Sequence, residues 1–365
     1  MPGYVPLVEI RRGDLAESVH YGAIAVVDDG GAVLAAAGDP ETVVFLRSAA
    51  KPAQVLPLLG GGGADRFGFD DAAIAVMIGS HGGEPFHLEA VRGILKAIGQ
   101  DESALQCGAH APFHRPSARL LRRQGLEPGV LHNNCSGKHA GMLAAAVQAG
   151  ADPRGYLDPA HPVQRRIREA IESLGGLPAG AARLGTDGCS APTFAVPLRA
   201  AALLYARLAR PEGAPAGYAE ALGRAAGAMR RHPEMVAGTD RLCTALIRDT
   251  AGGTLAKIGA EGILGLAFGR DGRGIGIALK IADGDGERAR FSAGLEALRQ
   301  AGAVPEALAE ALRDRFVGPI RTHRGTVVGS VRTVFDLGPL RTGPGPAGPG
   351  RAGPGRAGKA AGRVL

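Results

Sequence analysis

The chain has 365 residues, of which 45% are hydrophobic and 21% charged, a composition typical of a globular protein with a sizeable core. The formal net charge is +7, but much of the excess lies at the C-terminal end, in Arg341, Arg351, Arg356, Lys359 and Arg363. No basic run in the rest of the chain is interleaved with aromatic residues, which argues against nucleic-acid binding. No uninterrupted apolar run is long enough to span a membrane, so we expect no membrane partner.

The cysteines indicate the compartment. Cys107, Cys135, Cys189 and Cys243 are widely spaced, unlike the cysteines of a disulfide scaffold. Residues 1–12 show no charged head followed by an apolar core, so we expect no signal peptide. We therefore expect a cytoplasmic protein with reduced thiols.

Strand patterns occur near both ends of the chain and helical patterns between them. Strands are predicted over 23–28 and 32–37, around an Asp-Gly-Gly turn, and over 261–269 and 274–281, around a second turn. Helices are predicted over 84–99, 161–174, 191–209, 218–231, 287–300 and 305–316.

This order of elements predicts an α/β (α+β) fold. The two terminal hairpins can join in one antiparallel sheet, flanked by helices, with a helical lobe and a cleft beside it. From Thr342 the composition collapses to Gly, Pro, Ala and Arg, which cannot form a core. We predict a single domain over 1–341 and a disordered tail over 342–365.

The first candidate site lies in Arg47-Ser48-Ala49-Ala50-Lys51-Pro52. If a helix begins here, the three-residue spacing places Ser48 and Lys51 on one face. A lysine in a dry pocket can lose its proton and act as the base that a serine nucleophile needs. The same Ser-x-x-Lys spacing occurs in serine β-lactamases and penicillin-binding proteins. The alternative is an exposed helix start with Ser48 as its cap.

Two further stretches carry a serine and a lysine. Ser80 follows the apolar run 73–78 and enters the glycine-rich turn that contains His81. Lys257 opens the second predicted hairpin, where a strand lysine resembles the third element of the β-lactamase layout. Each also has an ordinary interpretation, as a polar loop residue or a solvated lysine at the end of a strand.

Two polar segments contain cysteines that could share a metal. Cys135 lies in the dense polar segment 132–142, and Cys189 follows Asp187 in a turn. Zinc prefers thiolate and imidazole ligands, so ligand chemistry alone favours His139 as the third donor. Two buried free thiols remain the alternative.

Together these segments resemble the rhizobial-type (thermolabile) L-asparaginases, the asparaginase II family. The resemblance covers about residues 7–315 and is carried by spaced motifs in a fixed order: Arg47-Ser48-Ala49-Ala50-Lys51-Pro52, Ser80-His81-Gly82-Gly83-Glu84, Asn134-Cys135-Ser136-Gly137-Lys138-His139-Ala140-Gly141, Asp187-Gly188-Cys189 and Lys257-Ile258-Gly259-Ala260-Glu261-Gly262.

The resemblance implies a fold similar to serine β-lactamases and penicillin-binding proteins, and a homodimer. It implies hydrolysis of L-asparagine to L-aspartate and ammonia through the pairs Ser48–Lys51 and Ser80–Lys257. It also implies one zinc ion per chain, not itself catalytic, held by Cys135, Lys138 and Cys189, which moves His139 to the substrate pocket. Arg47 and Asp187 are then candidates for the charged ends of the substrate, because their charges oppose those of a carboxylate and an amine.

Other functions stay open at this point. A glutaminase or a penicillin-type enzyme of the same fold would use the same serines, and the substrate from which ammonia is released separates these cases. A catalytically silent zinc-binding protein would hold the metal without releasing ammonia. A nucleic-acid binder acting through the tail is the weakest alternative.

Overall fold

The computed structural model describes residues 2–341, so the predicted tail over 342–365 lies outside the described residues. The strands are β1 (Val5–Arg12), β2 (Leu15–Asp28), β3 (Val33–Ala37), β4 (Val43–Phe45), β5 (Arg183–Thr186), β6 (Pro192–Pro197), β7 (Thr254–Ile258), β8 (Ile263–Arg270), β9 (Arg273–Ile281), β10 (Ile320–Arg321) and β11 (Val327–Thr333). The helices are α1 (Lys51–Gln54), α2 (Leu56–Gly60), α3 (Gly63–Phe67), α4 (Asp71–Ile78), α5 (Pro85–Ala97), α6 (Arg115–Arg123), α7 (Ser136–Gln148), α8 (Pro162–Leu174), α9 (Leu198–Ala209), α10 (Ala219–Arg231), α11 (Pro233–Val236), α12 (Leu242–Asp249), α13 (Ala289–Gln300) and α14 (Glu306–Phe316).

One antiparallel sheet combines strands from both ends of the described chain. Its order is β10-β11-β1-β2-β9-β8-β7, and β3 also pairs with β2. The two predicted hairpins meet where β2 lies beside β9, with Gly22 opposite Ile281 and Asp28 opposite Ile275. A second, three-stranded sheet has the order β4-β6-β5. The predicted joining of the hairpins is therefore confirmed.

The large sheet separates two hydrophobic cores, because neighbouring strand residues point to opposite faces. Ala25 and Val27 of β2 belong to the core shared with the helical region, where α9 packs against β2, β8 and β9. Ile24 and Val26 belong to the other core, which α13 covers. Helices thus flank the sheet on both faces, and the predicted mixed α and β fold is confirmed. In residues 2–341 no helix is both long enough and apolar enough to cross a membrane.

The predicted helix over 191–209 is only half right. Its first part is strand β6, which pairs with β4 and β5, and the helix α9 begins at Leu198. Pro192 and Pro197 disfavour a continuous helix, and the pairing with β4 and β5 satisfies the backbone between them. The remaining predicted helices begin and end within a few residues of the observed ones.

Two other segments that carry candidate site residues are helical. The apolar run before Ser80 is helix α4, which begins at the cap residue Asp70, whose carboxylate accepts a hydrogen bond from Ala73 N–H at 2.8 Å. Helix α7 begins at Ser136, so the polar segment around Lys138 forms its first turns. A Cβ at Gly137 would lie 2.3 Å from Val76 O, so only glycine lets α7 approach the end of α4 this closely. The residue after Ser80 and the residue before Cys135 are joined directly, because His81 N–H donates to Asn134 O at 3.2 Å.

Candidate active site

Ser48 lies in the wall of a cavity of about 510 Å³ between the large sheet and the helical region. It belongs to a short 3₁₀ helix, Arg47–Ala50, that runs directly into α1. Arg47 has a φ of 47°, a left-handed conformation that costs free energy for a residue other than glycine. Such strain next to a cavity serine is typical of a backbone that is bent to expose a nucleophile.

Ser80 lies between two buried lysines. Its hydroxyl is 3.0 Å from Lys51 Nζ and 2.7 Å from Lys257 Nζ. Lys51 Nζ also contacts Gly79 O, and Lys257 Nζ donates to Ile258 O at 2.9 Å. The structure thus joins Ser80 with Lys257, as the resemblance implies. Within residues 2–341 it shows no hydrogen bond between Ser48 and Lys51, because Lys51 bonds to Ser80 instead.

Burial changes the protonation of both lysines. Lys51 is 0% exposed and Lys257 is 1% exposed. Removal from water disfavours the charged form, so burial lowers the pKa of Lys51. Burial, and next the charge of Lys51, lower the pKa of Lys257 well below its ordinary value. These buried lysines therefore become neutral, and able to accept a proton, at a lower pH than a lysine in solvent does. The interpretation of Lys257 as a solvated lysine at the end of a strand is wrong, because its side chain is buried.

His81 holds the loop that carries Ser80. It is fully buried, and Gly83 N–H donates to its Nδ1 at 3.2 Å. Its Nε2 must then carry the proton and donates to Ser136 Oγ at 2.9 Å. Burial lowers the pKa of His81 well below its usual range, so the ring is neutral. The sequence allowed a solvated turn histidine here, but the structure makes His81 a buried support for Ser80.

Two backbone N–H groups in the cavity wall are available to a ligand. Neither Ser48 N–H nor Ala260 N–H has an acceptor among residues 2–341. Both residues line the cavity, and Gly259, the neighbour of Ala260, lies close to the chain around Ser48, since an added Cβ would lie 2.8 Å from Leu46 O and 3.3 Å from Ala49 N. In contrast, Ser80 N–H donates to Val236 O at 2.8 Å. Of the two serines that line this cavity in the described chain, Ser48 therefore has the hydrogen-bond-free backbone N–H and Ser80 does not.

The three residues expected to bind substrate have different positions. Arg47 and Asp187 both line the cavity, and they bond to each other, since Arg47 Nε and Nη2 lie 3.0 and 2.8 Å from Asp187 Oδ1. Asp187 has a lowered pKa: burial opposes ionisation, but the Lys138 and Arg47 charges outweigh it. His139 is fully buried outside the cavity wall, with Nδ1 2.6 Å from the Tyr156 hydroxyl.

Cys135, Lys138 and Cys189 meet beside the cavity. Lys138 Nζ lies 2.9 Å from Cys189 Sγ, and all three side chains are buried. A hydrogen bond from Cys189 lowers the pKa of Cys135 well below its ordinary value and raises that of Cys189. The pKa of Lys138 is raised, because the two sulfurs outweigh the effect of its burial. The trio therefore favours one thiolate beside an ammonium group.

This donor set fits zinc. Two sulfurs, one of which already favours the thiolate, converge with an amine, and thiolates are preferred zinc ligands. Among residues 2–341 no three His, Cys, Asp or Glu side chains are arranged to hold a metal, so the third protein donor would be the Lys138 amine. Lysine must lose its proton to bind a metal, so binding would release protons.

Three cavity residues carry no local motif in the sequence. His110 lines the cavity, and its Nε2 lies 3.1 Å from Asn134 Oδ1. Arg241 and Arg290 line the same cavity, more than a hundred residues after the polar segment around Cys135. Long-range packing brings them there, so no nearby pattern in the sequence could identify them.

Comparisons with solved structures give distant matches. A β-lactamase from Mycobacterium bovis is 15% identical, with 81% of this chain and 95% of that chain covered and a TM-score of 0.40. Mglu in its native form is 16% identical, with 82% of this chain and 69% of that chain covered and a TM-score of 0.41. Mglu in its L-glutamate binding form is 20% identical, with 82% of this chain and 63% of that chain covered and a TM-score of 0.42.

No curated protein matches the chain. The family described as L-asparaginase II matches residues 8–333, from β1 to the end of β11. The matched range includes every cavity residue described above. The protein therefore belongs to the L-asparaginase II family of amidohydrolases.

Proposed function

We propose that the protein is an L-asparaginase that hydrolyses the side-chain amide of L-asparagine to L-aspartate and ammonia through an ester on Ser48. Family membership supports the reaction class. The observation that carries the mechanism is the row of Lys51, Ser80 and Lys257 beside Ser48, in a cavity of a size suited to a small molecule.

In the first step Ser48 Oγ attacks the amide carbon of the substrate, and neutral Lys51 takes the hydroxyl proton. The carbonyl oxygen becomes an oxyanion. Ser48 N–H and Ala260 N–H are the donors that would stabilise it, because both residues line the cavity and neither N–H has an acceptor among residues 2–341. This requirement favours Ser48 over Ser80 as the nucleophile, since Ser80 N–H is already bonded to Val236 O.

In the second step the tetrahedral intermediate expels the amide nitrogen. That nitrogen must gain a proton to leave as ammonia. Ser80 has one hydroxyl proton and two lysine neighbours, so it can donate to one partner while it accepts from the other. Ser80 and Lys257 thereby return the proton taken by Lys51 to the leaving nitrogen.

In the third step water attacks the β-aspartyl ester. A neutral lysine of the same row takes the water proton, the ester bond breaks, and Ser48 Oγ regains a proton as aspartate leaves. The mechanism therefore needs both Ser–Lys pairs and returns each group to its starting protonation state.

The remaining site residues have supporting roles in this proposal. Asp187 would bind the substrate ammonium group, and Arg47 would hold the carboxylate of Asp187 in place. Cys135, Lys138 and Cys189 would hold the zinc, which would supply positive charge at the edge of the substrate region. His139 would help to hold α7, the helix that also carries Lys138, through its contact with the Tyr156 hydroxyl.

Family resemblance also leads us to propose a cytoplasmic homodimer. Mass measurement of the purified protein in solution would test the dimer, and fractionation of the source cells would test the compartment.

The test of the function is ammonia release by the purified protein from L-asparagine and from L-glutamine, together with a separate assay of ring opening of a penicillin, each compared with the Ser48→Ala variant. The proposal predicts release from L-asparagine that requires Ser48. Release mainly from L-glutamine, or ring opening of the penicillin alone, would reassign the substrate. Loss of all hydrolysis with zinc retained would support a silent metal-binding protein.

A further inference from the structure

The cavity wall contains two arginines that pair with no carboxylate in the described part of the chain. Arg241 and Arg290 both line the cavity that contains Ser48. Glu261 and Glu287 line it too, but neither forms an ion pair with these arginines. Burying a guanidinium group without a carboxylate partner costs free energy. Sites that bind a carboxylate ligand contain such an unpaired group before the ligand is bound.

Arg290 is the more buried of the two. Its exposed fraction is 7%, and its Nη1 donates to Gly259 O, while its Nε is buried without any acceptor in residues 2–341. Burial lowers the pKa of Arg290, which shows that nearby carboxylates do not compensate its removal from water. The backbone bond to Gly259 thus satisfies only part of this group, and a buried donor is left over.

Arg241 is half-buried and stands above Phe113, with Cζ 5.9 Å from the ring centroid. The acid next to it in the sequence, Asp240, is taken by Arg315, whose Nη2 lies 2.6 Å from Asp240 Oδ1. Arg241 therefore faces the cavity with an aromatic contact and no counter-ion. Its charge also lowers the pKa of Arg290, so the two guanidinium groups are close enough to interact.

The third cavity arginine is different. Arg47 directs two N–H groups to Asp187 Oδ1, so its charge is neutralised before any substrate enters. Asp187 has a second oxygen that faces no described donor, which suits a substrate ammonium group. Among residues 2–341, the cavity wall therefore has one arginine in an ion pair, Arg47 with Asp187, and two without an ion-pair partner, Arg241 and Arg290, although the charges of Asp285 and Glu287 act on Arg290.

We infer that Arg241 and Arg290 bind the α-carboxylate of the substrate and restrict the enzyme to free amino acids, as opposed to asparagine within a peptide. This inference rests on the proposed function, because it names the substrate class of the same cavity. The α-carboxylate of a free amino acid supplies the missing counter-ion, and its oxygens accept from the unbonded guanidinium N–H groups. A peptide carbonyl at that place would leave both charges unpaired, and the site would reject it.

The binding test uses L-aspartate, the expected product, which needs no turnover. Calorimetric titration compares the wild-type protein with Arg241→Gln, Arg241→Lys and a matched control, Arg123→Gln, which changes an exposed arginine of α6 outside the cavity wall. We expect Arg241→Gln to weaken L-aspartate binding about 10- to 100-fold. Arg241→Lys should retain part of the affinity, and the control should match the wild type.

The kinetic test separates binding of the carboxylate from a merely structural role. L-Asparagine is compared with 3-aminopropanamide, which keeps the amine and the amide but lacks the carboxylate. Arg241→Gln should raise KM for L-asparagine with little change in kcat, and leave kcat/KM for 3-aminopropanamide unchanged. Arg290→Gln should lower kcat/KM for both substrates, because Arg290 also holds Gly259, but should lower it more for L-asparagine.

Unchanged L-aspartate affinity in Arg241→Gln, or equal losses with both substrates, would overturn the inference. The proposed function has a separate outcome. If the wild-type protein binds L-aspartate through Arg241 but releases no ammonia from L-asparagine, the function is wrong and the carboxylate site stands. If it releases ammonia and Arg241→Gln behaves as the control, the function stands and the carboxylate site is wrong.

Discussion

Lys51 Nζ lies 3.0 Å from the Ser80 hydroxyl, although the sequence motif places Lys51 beside Ser48. Lys257 approaches the same hydroxyl from the other side at 2.7 Å. Hydrogen bonds therefore join Lys51, Ser80 and Lys257 in one row. In the proposed mechanism, a proton that Lys51 takes from Ser48 passes along this row to Lys257 through Ser80.

Ser80→Ala should interrupt this path while Ser48 stays in place. We expect kcat with L-asparagine to fall about 10²- to 10⁴-fold, the usual contribution of a general acid or base, with little change in KM. Stopped-time assays of ammonia release would measure it. A loss below about tenfold, roughly 1.4 kcal/mol, would mean that Ser80 only supports the structure.

Lys257→Met should abolish most activity and yet stabilise the protein at neutral pH. Because the pKa of Lys257 is lowered in the folded state, the unfolded state binds more protons between the folded pKa and about 10.4. The contribution of Lys257 to the free energy of unfolding of the wild-type protein therefore rises with pH across that range. Buried Lys257 destabilises the folded state most at the acidic end of the range. Thermal unfolding at several pH values should show a higher midpoint for Lys257→Met at pH 7 and a shrinking difference towards pH 10. A lower midpoint for the variant at every pH would contradict the assignment of a desolvated lysine.

The same lowered pKa values predict how the rate depends on pH. The reaction needs a neutral lysine as base, so kcat/KM should rise with pH as the buried lysines lose their protons. The rise should be complete below the pH at which a solvated lysine titrates. A profile that keeps rising to pH 11 would indicate a lysine open to water.

Gly259→Ala tests the role of the backbone next to Ala260. The added Cβ would lie 2.8 Å from Leu46 O and 2.2 Å from Ile263 Cγ2, so the end of β7 must shift away from Ser48. Displacing one donor to the oxyanion should lower kcat about 10²- to 10³-fold. The control is Gly269→Ala on β8, where an added Cβ has nothing within 4 Å and activity should be kept. Equal activities of the two variants would remove Ala260 N–H from the mechanism.

Zinc binding can be tested on the cysteines. Elemental analysis should find about one zinc per chain in the wild-type protein, and Cys135→Ala and Cys189→Ala should lose it. Cys243→Ala changes a buried cysteine of α12 that belongs to neither polar segment, and it should keep the metal. Zinc retained in both Cys135→Ala and Cys189→Ala would refute the site, and loss in His139→Ala alone would transfer the third ligand to His139.

The sequence predicted the residues that lie in motifs better than those that reach the cavity through packing. Ser48, Ser80 and Lys257 are each marked by a local pattern, and the structure brings them to one region. Arg241 and Arg290 have no such pattern, because they meet only when α12 packs against β7 and α13 packs against β8 and β9. The contact between Lys51 and Ser80 could not be predicted from the sequence either, because it depends on the position of the end of α4 relative to α1.

The fold shows the same limit. Period-two and helical patterns identified the two hairpins and most long helices. The helical pattern was misleading at β6. The run 191–209 is rich in alanine and predicts a helix, but its first residues form a strand that pairs with β4 and β5. The two prolines and the pairing with β4 and β5 together make a strand of the segment that follows Cys189.

The central claim is that Ser48, and not Ser80, carries the acyl group. The most direct measurement is rapid acid quenching of the Ser80→Ala and Ser48→Ala variants with L-asparagine, followed by mass spectrometry of their peptides. We predict a β-aspartyl ester on Ser48 in the Ser80→Ala protein, where the ester forms slowly and its hydrolysis is also impaired, and no ester in the Ser48→Ala protein. An ester on Ser80 in the Ser48→Ala protein, with Ser48 unmodified in the Ser80→Ala protein, would contradict the account.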